Sequence, residues 1–402
     1  MANNGKRNGR NGKKSGRILG DWIDGYLDYT SEQESPSAFH TWVALSVLGN
    51  VLGRKCWVNR GYYKLYPNLY VVLVGASARV RKTTAIHMGY KLFMEAFPDA
   101  TAVSQKTTLE AMISMFVEDF KARGVSGGYI VSDEFGVLLG KGPDSAKIME
   151  LLTKWYDCPD RFDYRTIMRG KEIANNVYCN ILAGTTPQWM QDSMPAHAVG
   201  GGFTSRIIFV FQRKPEKLVP FPEVDESMVK LRHKLVIDLK TINEIEGEFK
   251  LTDEARAWYE EWYMRVFKPE TTPHPSLDGY FGRKHDTVLK LGVLFAASKG
   301  NNRVIEEREL SLALKTLNKA ERMLPHTIKL MQMTQSGEEM QKVHSAISRR
   351  KEVDFRTLHR SLSYCMTAVR LNEVIGDLIS VGSIKEFVSK GKRCFRMLVE
   401  DF

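Results

Sequence analysis

The sequence predicts an α/β protein built on a mostly parallel sheet, and two observations predict it. Short, nearly unbroken apolar runs recur: "LYVVLVG" ending at Gly75, "GGYIVS" at 127–132, "NVYCNILAGTTP" at 176–187 and "SRIIFVFQ" at 205–212. Helical stretches separate them. Strands that are apolar on both faces and joined through helices belong in a sheet covered on both sides.

Before the first strand, "PSAFHTWVALSVLGNVLGRKCWV" reads as an apolar helix, and "NRGYYKLYPN" supplies turns. Tyr62, Tyr63 and Tyr66 in that segment are read as packing residues rather than as a base-stacking strip. Gly75 ends the first strand, and a helix is expected to run to about Phe97. The second strand ends in Asp133 and Glu134, and "SAKIMELLTKWYD" follows as helix. "RKPEKLVPFPEVDE" marks a boundary by its prolines and charges. From 225 to about 333 the pattern is helical throughout. Three short helices and a hairpin closed by "SKGK" then suggest a winged helix. The expected layout is a disordered basic arm (1–17), an N-terminal helical region (18–66), a nucleotide-binding core (67–215), a helical lid (216–335) and a winged-helix domain (336–402).

The chain has 402 residues and a formal charge of +11. No apolar run approaches the ~18 residues of a membrane span, and the polar, basic start has no apolar leader core. Five widely spaced cysteines, an odd count, fit reduced thiols, so a cytoplasmic protein is expected. Lys6, Arg7, Arg10, Lys13, Lys14 and Arg17 crowd the first residues without one acid, which favours a polyanionic partner such as DNA.

The stretch "GASARVRKTTAI" carries the chemistry. A phosphate-binding loop points backbone N–H groups and a helix N-terminus at phosphates. Its Lys reaches the β- and γ-oxygens, and its Ser/Thr holds Mg²⁺. Gly75 would begin the turn, Lys82 would reach the phosphates, Thr83 would hold the metal, and Thr84 adds a hydroxyl. The spacing from Gly75 to Lys82 is one residue longer than usual. Ala78 and Val80 stand where glycines would help, and Arg81, itself counted among the nucleotide-binding residues, replaces the glycine before the lysine. Asp133 would order metal-bound water, and Glu134 would polarise the attacking water. Thr185, or else Thr186, would set a hydroxyl beside the γ-phosphate. Arg206, at the mouth of the last strand, would act as a finger on a neighbouring subunit's nucleotide. Arg283, in "GYFGRKHD", is a candidate lid-borne sensor. The hairpin residues Lys385, Lys390, Lys392, Arg393 and Arg396 would form a basic wing and "TAVRLNEVIGDL" a recognition-type helix, for DNA or for protein.

This order of features resembles the AAA+ class of P-loop ATPases. "FTSRIIFVF" is similar to the region after sensor one in ring helicases of the minichromosome-maintenance type. More narrowly, "AFHTWVALSVLGNVLGRKCWV", "LYPNLYVVLVGASARVRKTTAI", "IVSDEF", "ILAGTTP" and "LTDEARAWYEEWY" resemble phage- and prophage-encoded helicase-like ATPases that accompany primases. The resemblance spans roughly residues 36–300. In that family an Arg often precedes the loop Lys, and a Pro and a Gly usually stand where this chain has Ala76 and Ala78. The resemblance implies ATP and Mg²⁺ as cofactors, hydrolysis within a homo-oligomeric, hexameric ring, movement along single-stranded or forked DNA, and a primase or other replication protein as partner. Two other readings stay open: a nucleotide-switched initiator or loader with little hydrolysis, and a winged-helix regulator with a vestigial core.

Overall fold

A computed structural model describes residues 16–103, 107–140, 143–166, 170–193, 202–265, 277–325, 327, 335–350, 352–389 and 391–398. The chain forms two compact units, 1–328 and 329–402. Most of the expected basic arm, at 1–15, lies outside the described residues, as do Gly200, Gly201 and Lys390.

The first unit is organised by five parallel strands: β1 (Tyr70–Val74), β2 (Ala102–Val103), β3 (Gly127–Ser132), β4 (Tyr178–Thr185) and β5 (Ile207–Phe211). Their order across the sheet is β2-β3-β4-β1-β5. All residues of β1, β3, β4 and β5 are buried, which accounts for their unbroken apolar character. The sequence signals four of these strands. The fifth, β2, is a two-residue edge strand too short to leave a pattern. A hairpin also goes unanticipated: Arg161–Thr166 pairs antiparallel with Gly170–Asn175 between β3 and β4.

Helices cover the sheet. They are α1 (Trp22–Tyr29), α2 (Ser37–Leu52), α3 (Lys82–Ala96), α4 (Leu109–Arg123), α5 (Phe135–Leu139), α6 (Pro143–Tyr156), α7 (Pro187–Ser193), α8 (Glu226–Ile242), α9 (Asp253–Arg265), α10 (Asp278–Lys299) and α11 (Glu307–Glu321). The regions expected as separate N-terminal, core and lid domains lie within the one unit. Helices α1 and α8 pack together, α8 packs on α3, and α10 packs on α2. A short parallel pairing, Cys56 opposite Gly247, ties the helical region to the N-terminal segment, and another, Lys250 opposite Val304, lies within the helical region.

Arg17, expected in the free basic arm, is instead a fold residue. Its guanidinium donates to the carbonyls of Ala297 and Ser298 and pairs with Asp238, with both side chains nearly inaccessible. Asp238 also accepts from the backbone N–H groups of Ile18 and Leu19, so one carboxylate on α8 receives the incoming chain. The partners lie more than 200 residues apart in sequence, which is why no local pattern announces them.

Tyr62 and Tyr63, expected to pack, are exposed at the tip of a hairpin formed by Cys56–Asn59 and Lys64–Leu65. Tyr66 does pack, with the Arg54 guanidinium 4.5 Å from its ring centroid.

Within α2, His40 is 1% exposed and neither ring nitrogen has a hydrogen-bond partner. Burial lowers its pKa from 6.5 to about 4. The folded protein therefore holds His40 neutral where the unfolded chain takes up a proton. This contribution to stability is intact above about pH 6.5 and is lost as the pH falls towards 4, at about 1.4 kcal/mol per pH unit. Denaturant midpoints from pH 7 to 4 should fall more steeply for wild type than for His40→Phe. Parallel profiles would show that this ring is not the acid-sensitive group.

The second unit runs α12 (Gln335–Ser348), β6 (Glu352–Asp354), α13 (Phe355–Leu362), α14 (Ala368–Ser380), β7 (Ile384–Ser389) and β8 (Lys392–Met397), in sheet order β6-β8-β7. Its own core includes Val343, Ile347, Leu358, Leu371, Ile375 and Phe395. The expected hairpin is β7–β8, turning at Gly391 with φ 72°. The short strand β6 is the addition to the expected order.

Candidate nucleotide site

Parallel strands bring the ends of β1, β3 and β4 to one sheet edge, where ligands of open α/β sheets bind. The loop after β1 leaves at Gly75. A Cβ there would lie 2.4 Å from Val80 Cγ2 and 2.8 Å from the Gln212 carbonyl oxygen, so only glycine admits this close approach. The loop then takes positive φ at two non-glycine residues, Ala78 (56°) and Arg81 (49°). A left-handed conformation costs an L-residue about 1–2 kcal/mol. The loop keeps a path that glycines would normally supply, and its neighbours stabilise it: Ser35 Oγ donates to the Arg81 carbonyl at 3.0 Å.

Arg81, expected to touch the nucleotide, turns outward. Its Nε donates to Glu34 at 2.7 Å, and that bond holds the Glu34 carboxyl below its ordinary pKa. Lys82 starts α3 and is 6% exposed. Its ammonium donates to the Gly75 carbonyl at 2.7 Å and to the Ala76 carbonyl at 3.4 Å, across the hollow of the loop. Burial lowers its pKa, and the charge of Glu134 opposes that shift. Thr83 follows on the exposed side of the first helical turn, and Thr84 is half-buried.

Asp133 and Glu134 leave β3 at the same edge. The backbone at Asp133 runs against β4, since a Cβ on Gly184 would meet the Asp133 carbonyl oxygen at 2.7 Å. Glu134 is the residue preceding α5, yet its side chain makes no capping bond there and stays exposed. The Asp133 carboxylate meets His87 Nε2 at 3.0 Å. His87 is one turn beyond Thr83 on α3, and that i,i+4 spacing was the available sequence signal for it.

The two threonines at the end of β4 separate cleanly. Thr186 Oγ1 accepts from the Trp189 backbone at the start of α7, so it is committed to that helix. Thr185 pairs with Val74, the residue before Gly75, and its carbonyl accepts from Gly75 N–H at 3.3 Å. Thr185 is fully buried and its Oγ1 has no partner. An unsatisfied buried hydroxyl costs about 1–3 kcal/mol, and a bound ligand or water is what relieves it. Among the described residues no group of three or more His, Cys, Asp or Glu side chains gathers as a metal site. Mg²⁺ needs no such cage: one hydroxyl, one carboxylate, phosphate oxygens and water suffice, and Thr83 and Asp133 fit that donor set.

Arg206 and Arg283 are placed elsewhere. Arg206 precedes β5, whose first residue, Ile207, lies opposite Tyr70 at the start of β1. It is thus one strand length, roughly 17 Å, from the Gly75 edge, too far to serve its own loop. Arg206 pairs with Asp157 at 2.9 Å, and its Nε lacks a partner. Arg283, expected to reach over the nucleotide from a lid, lies beside it at that far edge and donates to Ser205 Oγ at 3.2 Å. Burial lowers the Arg283 pKa, and the nearby charge of Arg206 adds to the shift. Asp157 was not anticipated; "KWYDCPD" gives it no distinctive spacing.

No protein-family model and no curated protein matches this chain. Among the described residues, no helix is long and apolar enough to cross a membrane.

Proposed function

We propose that the first unit is a P-loop ATPase core of AAA+ type and that the protein is an ATP-dependent DNA helicase or translocase of phage-type replication, working as a homo-oligomeric ring. The observation that carries this reading is the split of the candidate residues between the two sheet edges. Gly75, Lys82, Thr83, Asp133, Glu134 and Thr185 gather at one edge. Arg206 and Arg283 stand together at the other. A catalytic arginine a strand length from its own loop is useful only to the loop of an adjacent copy, and repeating that contact around an axis closes a ring.

In this reading the backbone N–H groups after Gly75 and at the start of α3 cradle the phosphates. Lys82 exchanges its two carbonyl partners for phosphate oxygens. Thr83 and Asp133 would hold Mg²⁺, whose charge would offset that developing on the phosphates. Glu134, with no structural bond to break, orients and deprotonates the attacking water. The Thr185 hydroxyl gains the partner it lacks. A neighbour's Arg206, freed from Asp157, meets the transferring phosphoryl group.

DNA is the track. For the second unit, the helix, strand, helix, helix, strand, strand order supports a winged helix. Two arginines of its basic wing are engaged within the unit: Arg393 forks onto Glu386 at 2.7 and 2.9 Å, and Arg396 lies 3.7 Å from Glu352, while Lys385 and Lys392 are exposed. The exposed face of α14 carries Glu373 and Asp377, and its one base, Arg370, is paired with Glu339 and Glu373. That charge pattern favours a protein partner, such as a primase, over phosphates.

The positive φ values at Ala78 and Arg81 favour keeping the second reading, a nucleotide-switched initiator or loader. Turnover measured with and without single-stranded DNA separates the two. The translocase reading expects ATP hydrolysis that rises several-fold with DNA. Nucleotide-dependent assembly with negligible turnover would favour the switch.

A further inference from the structure

The exposed hairpin tip at Arg60–Lys64 is built to present an aromatic ring. Gly61 has φ 78°, and Tyr62 N–H donates back to the Arg60 carbonyl at 3.0 Å, a tight turn that glycine alone takes without strain. Arg60 N–H donates to the Tyr63 carbonyl at 2.9 Å and Gly61 N–H to Asn59 Oδ1 at 2.9 Å, so the tip is closed and held. Tyr62 is then fully exposed, at 105%, and Tyr63 is 48% exposed. The tip is also anchored at its base: Tyr63 Oη lies 3.4 Å from the Asp286 carboxylate, and the Lys64 ammonium sits 4.2 Å from the Trp57 ring centroid.

A cavity of about 320 Å³ opens beside the tip. Its walls include Tyr63, Lys64, Arg283 and Lys290, with Asp157 and Asp286 as the carboxylates. Arg60 adds a further cation at its rim, 3.7 Å from Asp286. Cations therefore outnumber carboxylates around the cavity, although Lys290 is buried on Asn68, and the fully exposed Tyr62 ring stands on the same tip as Lys64. Single-stranded nucleic acid has this pairing of chemistries, since every base offers a π-face and every linkage a negative charge.

We propose that the Arg60–Lys64 tip is a contact site for single-stranded nucleic acid, with an unpaired base stacked on Tyr62 and the adjoining phosphate met by Lys64. The contact deepens the DNA-translocase reading by naming where an unpaired strand is held, and the two residues that make it, Tyr62 and Lys64, are not among the candidate nucleotide residues. A basic, aromatic-free surface would bind duplex and single strand through phosphates alone; this tip should discriminate by the base.

The test is fluorescence anisotropy of the full chain with a labelled oligothymidylate, an abasic oligonucleotide of the same length, and ATP as competitor. Tyr62→Ala should bind oligothymidylate roughly 5- to 100-fold more weakly, bind the abasic strand as wild type does, and recover in Tyr62→Phe. Because Tyr62 is fully exposed, its removal leaves no cavity. Equal oligothymidylate affinity in wild type and Tyr62→Ala would overturn the proposal, as would an equal loss on the abasic strand or no binding by wild type. Weaker ATP binding by Tyr62→Ala with unchanged oligonucleotide affinity would also overturn it, assigning the ring to a mononucleotide. DNA-stimulated turnover that persists while Tyr62→Ala binds DNA normally would sink this contact alone. DNA binding lost in Tyr62→Ala by a protein without turnover would sink the ATPase reading alone.

Discussion

Glu134→Gln should lower ATP turnover by about 10²–10⁴-fold while leaving nucleotide binding close to wild type. The carboxylate leaves β3 at the same edge as the Gly75 loop, its charge is felt by Lys82, and it makes no capping bond to α5. Replacing it with an amide of the same shape removes a proton acceptor and disturbs no structural contact. Lys82→Ala should differ in kind. That ammonium is nearly buried within the loop, bonded only to carbonyls of Gly75 and Ala76. Its removal takes away the cation that phosphate would meet, so binding and turnover should fall together. A paired measurement of ATP affinity and steady-state hydrolysis checks both. Turnover by Glu134→Gln equal to wild type would remove this residue from the mechanism, and the exposed Asp133 would then need to serve as both metal ligand and base.

The second large effect is expected across subunits. Arg206→Ala should lower turnover by roughly 10³-fold or more if it acts as an arginine finger. Because Arg206 stands a strand length from its own loop, the defect should appear in mixtures. Lys82→Ala and Arg206→Ala should each be inactive alone and recover part of the turnover when mixed, because the intact loop of the Arg206→Ala subunit then faces an intact Arg206. The subunit keeps its own phosphate edge intact and should still bind ATP. Arg283→Ala should behave the same way in sign, since Arg283 shares that far edge and its charge couples to Arg206. No recovery in that mixture would place neither arginine in a neighbour's site, leaving Arg206 as the structural partner of Asp157.

The site was legible in the sequence where chemistry and burial coincide. β1, β3 and β4 are long enough and apolar enough to announce themselves, and each ends at or one residue before a candidate residue: Gly75, Asp133, Thr185. The sequence left Thr186 as the alternative to Thr185; in the structure Thr186 Oγ1 accepts from the Trp189 N–H, and the buried Thr185 Oγ1 has no partner. The positive φ at Ala78 and Arg81 was foreseeable from the missing glycines. The outward turn of Arg81 was not, because Glu34 lies 47 residues earlier, in the segment between α1 and α2. Arg283 was assigned to a lid over the nucleotide because helical segments after such a core usually cover it. Here α10 packs on α2 and on the turn before β5, which carries its first turns to the opposite edge. Tyr62 and Tyr63 were misjudged because composition cannot tell a packed tyrosine from one at a hairpin tip; the turn at Gly61 decides it. The hairpin at Arg161–Asn175 did carry an alternating signal in "RFDYRT", and its charges masked it.

The account rests on the loop after Gly75 holding a triphosphate despite two non-glycine residues in left-handed backbone. Calorimetric titration of the wild-type chain and Lys82→Ala with ATP and Mg²⁺ tests this most directly. The account predicts saturable wild-type binding below millimolar concentration, dependent on Mg²⁺ and at least tenfold weaker in Lys82→Ala. No binding at millimolar ATP, or equal binding by the two proteins, would contradict it.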